Sequence, residues 1–87
     1  MKELYEVYGR KHCEKKGFTY TGYIIDNVKS DELIGTMKLY VVVAEHFNVK
    51  PRSVERAIRY YKELVCSKDV TNGEFLKALL YKKMGNS

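Results

Sequence analysis

Apolar residues return every three or four positions along most of this chain, the spacing of amphipathic helices. Leu4, Val7 and Tyr8 stand at i, i+3 and i+4. They predict a first helix over residues 2–14, closed by Lys15, Lys16 and Gly17. Tyr20, Tyr23, Ile24 and Val28 predict a second, weaker helix over 19–29, with Gly22 inside it costing about 1 kcal/mol against alanine. Ser30-Asp31 reads as a break or a new cap. Residues 33–47 contain Tyr40-Val41-Val42-Val43, which favours a strand by propensity. Met37, Tyr40, Val43, Ala44 and Phe47 nevertheless keep helical spacing with no turn signal between Gly35 and Phe47, so the segment is read as helix. Pro51 suits a first helical position, where its missing N–H would have no partner anyway, and it opens a helix over 51–65. Thr71-Asn72-Gly73-Glu74 is a capping box that opens a last helix with Phe75, Leu76, Leu79 and Leu80 on its apolar side. The predicted fold is all-α: a single domain over 1–87, a small bundle of about five helices with no internal repeat.

The two helices around Asn48 have the spacing of a helix-turn-helix. That motif needs a small residue where the helices cross, a tight turn, and an apolar lock between them. Ala44 is the small residue. Asn48 sits where the turn demands a left-handed backbone, and asparagine tolerates that conformation better than most residues other than glycine. Val43, Phe47, Val49, Val54 and Ile58 supply the lock. Winding residues 51–65 at 100° per residue gathers Val54, Ala57, Ile58, Tyr61 and Val65 on one side, and Arg52, Glu55, Arg56 and Arg59 on the other.

Charge sharpens this picture. The chain has 87 residues, 16 basic and 11 acidic side chains, and a net charge of +5. From Lys50 to Lys62 five basic residues (Lys50, Arg52, Arg56, Arg59, Lys62) face one acidic residue, Glu55, so this segment alone carries +4. Guanidinium groups are forked donors that match guanine O6/N7 and phosphate, which suits an arginine-faced helix to the major groove of double-stranded DNA. Glu55 accepts from a cytosine amino group or holds Arg52 or Arg59 in place. The plain alternative is a solvated surface helix, in which Glu55–Arg59 is an ordinary i, i+4 pair. The crossing alanine, the turn asparagine and the locked spacing tip the balance toward DNA.

These residues also resemble a known family. Phe47-Asn48 followed by Val54-Glu55-Arg56-Ala57-Ile58-Arg59 is similar to the recognition segment of the C-terminal effector domain of the sporulation master regulator, stage zero sporulation protein A. Lys16-Gly17-Phe18 with Tyr20, then Thr36 with Leu39-Tyr40 and Val43-Ala44, and finally Thr71-Asn72-Gly73-Glu74-Phe75 resemble three further stretches of that family. The resemblance implies an all-helical domain that reads DNA in the major groove as a transcriptional regulator. By it, Glu55, Arg56 and Arg59 match positions facing base edges and phosphates, with Arg52 and Ser53 at the start of the same helix near the backbone. It also implies pairing of two copies on tandem sites, as a homodimer or tandem pair. The chain departs from the family in two shorter connections, Val65 to Thr71 and Ile25 to Thr36, and has no room for a phosphoacceptor receiver domain.

The remaining features are bland. His12, Cys13, His46 and Cys66 are ligand types without the close spacing of zinc sites, so they are read as surface histidines and partly buried cysteines. No metal site and no cofactor are implied. A Cys–His pair lacks an orienting third group, and no glycine-rich phosphate loop exists, so the chain is not expected to be an enzyme or to take a small-molecule substrate. The longest apolar run, Leu39 to Ala44, is far below the roughly 20 residues of a membrane span, and a cytoplasmic location is expected. Cys13 and Cys66 are expected as free thiols. Most of the tyrosines read as core or interface packing. Tyr60 lies at the edge of the basic face. The expected phosphate contacts are Lys50, Arg52, Ser53, Tyr60 and Lys62, and the expected base readers are Glu55, Arg56 and Arg59. The rival is a protein-interaction or adaptor module that uses the same basic face on an acidic partner. RNA binding is disfavoured because the basic face lacks stacking aromatics.

Overall fold

A computed structural model describes residues 2–27 and 36–85. The described residues form five helices: α1 Lys2–Tyr8, α2 Lys16–Asn27, α3 Thr36–Phe47, α4 Pro51–Val65 and α5 Asn72–Gly85. The expected helical character holds, including over Tyr40-Val41-Val42-Val43. There Tyr40 and Val43 turn inward with Leu39 and Ala44, while Val41 and Val42 face out. Met37, expected on the apolar side, is exposed, because the buried stripe runs through Leu39–Val43 and Tyr40–Ala44 and leaves the first turn at its edge. The expected break at Ser30-Asp31, Val28 and the start of the 33–47 segment lie outside the described residues.

Two boundaries differ from expectation, and both turn on a glycine. The first helix ends at Tyr8 rather than near residue 14. Gly9 adopts φ 67°, and its amide donates to the Tyr5 carbonyl at 2.9 Å, a left-handed stop. Residues 9–15 then run as turns, with His12 also at positive φ (60°) and the Lys15 amide donating to the His12 carbonyl at 3.0 Å. The second difference is that Lys15-Lys16-Gly17 marks a helix start, not an end. Gly17 is buried in the first turn of α2, where the backbone meets α4. A Cβ there would collide with the Ala57 carbonyl oxygen and lie 2.5 Å from the Tyr61 Cβ. This glycine serves packing rather than termination.

The core is built around α4, which packs on α2, α3 and α5, with Leu4 of α1 joining it. Tyr61 is fully buried at its centre, packed against the rings of Phe18, Phe75 and Tyr8 at centroid distances of 5.8, 6.0 and 6.4 Å. Its hydroxyl has no hydrogen-bond partner among the described residues. Burial, reinforced by Tyr8 and Cys13, pushes the Tyr61 phenol up to about 12. Burial also raises Tyr8, with Cys66 adding to the shift. The last helix opens as predicted. The Glu74 amide donates to the Thr71 hydroxyl oxygen and the Thr71 amide to Glu74 Oε1, both at 3.1 Å. Those Thr71 contacts hold the Glu74 carboxyl below its ordinary range, helped by the Lys62 ammonium. Asn72 Nδ2 donates to the Tyr40 hydroxyl at 2.9 Å and ties the start of α5 to α3.

Candidate nucleic-acid interface

Between α3 and α4 the chain turns through three residues. Asn48 has φ 56°, the left-handed conformation the turn was expected to need. The Val49 amide reaches back to the Ala44 carbonyl at 2.9 Å and closes the turn. Ala44 is buried at the crossing, Val43, Val54 and Ile58 are completely buried, and Phe47 and Val49 pack half-buried against the same core. Sequence reasoning missed a second layer of this lock. The Phe47 ring lies 5.2 Å from Tyr20 and 5.6 Å from Tyr23, and His46 stacks on Tyr23 at 4.3 Å. Two tyrosines of α2 thus hold the end of α3. The only signal for this was their i, i+3 spacing, which says that they face the core but not which partner they meet.

The conformation at Asn48 gives a direct test. Asn48→Ala should lower stability by about 1 kcal/mol, because a Cβ-bearing residue without a polar side chain pays the left-handed cost in full, whereas Asn48→Gly should be neutral or stabilising. Chemical unfolding of the two variants separates them. Equal loss from both would mean that the Asn48 side chain, not the backbone, matters there.

From this turn α4 projects with its apolar back sealed and its front open. Lys50 is the N-cap, extended at φ −85° and ψ 145°, and its exposed side chain makes no cap hydrogen bond. Arg52, Ser53, Arg56, Arg59 and Tyr60 are all exposed, and Tyr60 is 65% exposed. Glu55 is half-buried and pairs with Arg59 across one turn at 3.6 Å. An exposed pair of this kind is worth about 0.3–0.5 kcal/mol, so Arg59 is held in line at little cost to its release. Glu63 is exposed on the same front, two turns beyond Arg56. The basic surface therefore belongs to the N-terminal half of α4, the half that contacts base edges in helix-turn-helix proteins.

Lys62 corrects the sequence reading. It was expected as a phosphate contact, but it is 4% exposed. Its position, 120° from Arg56 around the helix, carries it to the flank covered by α5, near the Glu74 carboxylate. Both cysteines are free and exposed rather than partly buried. Among the described residues no three metal-ligand side chains come together, and no helix is long and apolar enough to cross a membrane.

The family model described as the sporulation initiation factor Spo0A C terminal matches residues 4–85, nearly the whole chain. No curated protein and no solved structure matches it.

Proposed function

The chain belongs to the family of the sporulation initiation factor Spo0A C-terminal domain, a family of DNA-binding transcription-regulator domains rather than enzymes, and on that premise we propose that it binds duplex DNA sequence-specifically with α4 in the major groove. The observation that carries this reading is the exposed run of Arg52, Arg56 and Arg59 on a helix whose opposite side buries Val54, Ile58 and Tyr61 completely. Glu55, Arg56 and Arg59 read bases. Lys50, Arg52, Ser53 and Tyr60 set register on phosphates. Pairing of two copies on adjacent sites is part of the same proposal.

Two measurements test it. Affinity for duplex DNA should fall steeply with salt, with a log–log slope more negative than about −2, since at least Lys50 and Arg52 would each displace counterions. Selection from a random duplex pool should return a short consensus, single for one copy or tandem for a pair. A flat salt profile together with an empty selection would refute DNA as the partner and favour an acidic protein surface.

A further inference from the structure

The basic front of α4 does not end at its own side chains. α2 begins in backbone contact with α4 at Gly17, where the Ala57 carbonyl and the Tyr61 Cβ leave no room for a side chain. Lys15 and Lys16, which directly precede that contact, are exposed. Together with Gly17, Ala57, Tyr60 and Leu64 they line a cleft of about 330 Å³. Its floor is mostly apolar and two lysines stand at its rim. Tyr60 and Leu64, at 65% and 51% exposure, form the α4 wall. Tyr60 belongs to both surfaces: it edges the arginine front and lines the cleft.

We propose that this cleft is a second DNA contact, which seats the sugar–phosphate backbone of one strand bordering the groove that α4 enters. The inference rests on the DNA-binding reading and extends it to residues outside the helix-turn-helix. Two properties of the cleft match this occupant. A DNA backbone presents alternating anionic phosphates and largely apolar deoxyribose faces. Lys15 and Lys16 bring positive charge to the cleft, and Leu64 and the Tyr60 ring bring carbon surface. The cleft is also continuous with the arginine front through Tyr60, so a strand that leaves the front at the acidic Glu63 end meets positive charge again at Lys15 and Lys16. Under this assignment the Lys16-Gly17-Phe18 stretch has three separate duties. Phe18 fills the core, Gly17 lets the two backbones touch, and Lys16 uses that contact to hold a phosphate.

The test compares two double variants of the full chain that lose the same charge. One is Lys15→Gln/Lys16→Gln at the cleft; the other is Lys77→Gln/Lys82→Gln on the exposed side of α5. Each is titrated against a selected duplex and a scrambled duplex over a range of salt. Removing two phosphate contacts should make the log–log salt slope shallower by about 1–2 and weaken both duplexes by the same factor, leaving base preference intact. The α5 variant should retain the wild-type slope. If the cleft variant keeps the wild-type slope, or if both variants change equally, the cleft assignment is overturned while DNA binding stands. If the wild-type chain prefers no duplex and shows no salt dependence, the DNA reading itself fails, and the cleft contact with it.

Discussion

Gly17→Ala is expected to lower the thermal midpoint of this domain by about 10 °C. Two opposing terms decide the sign. Alanine is the better helix former by up to about 1 kcal/mol, and less in a first turn. Against that, the new Cβ would meet the Ala57 carbonyl and the Tyr61 Cβ. Neither is the free end of a flexible side chain: one is helix backbone, the other the root of a fully buried ring. Overpacking of this kind costs typically 1–3 kcal/mol and sometimes more. The net loss is about 2 kcal/mol, and each kcal/mol moves the midpoint of a domain this size by about 4–8 °C. Total stability for 87 residues is about 4–13 kcal/mol, so the variant gives up a substantial share of it. Gly9→Asn is the control. Gly9 also needs its glycine, but only for φ 67°, and nothing lies within 4 Å of a Cβ built there. Asparagine accepts that backbone, so Gly9→Asn should melt close to wild type, whereas Gly17→Asn should be worse than Gly17→Ala. A Gly17→Ala variant that melts at or above wild type would show that α2 and α4 do not approach as closely as described.

The two glycines also mark the limit of what the sequence made legible. Both stand beside polar or basic residues, and a glycine after lysines has the local look of a helix end. At Gly9 the chain does stop a helix, in a stretch expected to continue one. At Gly17 it starts one, in a stretch expected to stop. Nothing local distinguishes a glycine required by φ from a glycine required by a neighbour's backbone, because the neighbour lies forty residues away in sequence. The helix-turn-helix was legible for the opposite reason. Its determinants (Ala44, Asn48, Pro51 and the 3.6-residue pattern of α4) all lie within about twenty residues, and each acts locally. The capping box at Thr71 and Glu74 was legible on the same ground. The burial of Lys62 was not legible, because a wheel divides a helix into inside and outside about one axis. A helix contacted on several sides has flanks as well, and α5 covers the flank on which Lys62 lies. The cleft at Lys15 and Lys16 was invisible for the same reason as Gly17, since it exists only where α2 crosses α4.

At the interface itself, Arg56→Ala should weaken binding to the selected duplex by about 1–3 kcal/mol, roughly 5- to 150-fold, and relax selectivity at one base pair. The position dictates this size. Arg56 lies at the middle of the basic half of α4, exposed, one turn from Arg52 and two turns before the acidic Glu63. A guanidinium there can donate both N–H groups to guanine O6 and N7, and the loss of such a bidentate pair leaves the base edge without its partner. Because the side chain is exposed, the unfolding free energy should change by no more than about 0.5 kcal/mol, which separates lost recognition from lost fold. Arg52→Ala is the necessary comparison. At the first turn of the helix it should act on a phosphate, weakening all duplexes by a similar factor and making the salt slope shallower by about 1. Glu55→Ala probes the third member: it frees Arg59 from the 3.6 Å pair, and a change in base preference without a change in slope would place Glu55 or Arg59 at a base edge. If Arg56→Ala instead weakens every duplex evenly, Arg56 is a phosphate contact and the groove is read by another face. If neither affinity nor preference changes, α4 does not enter the groove, and its arginine front must serve an acidic protein surface.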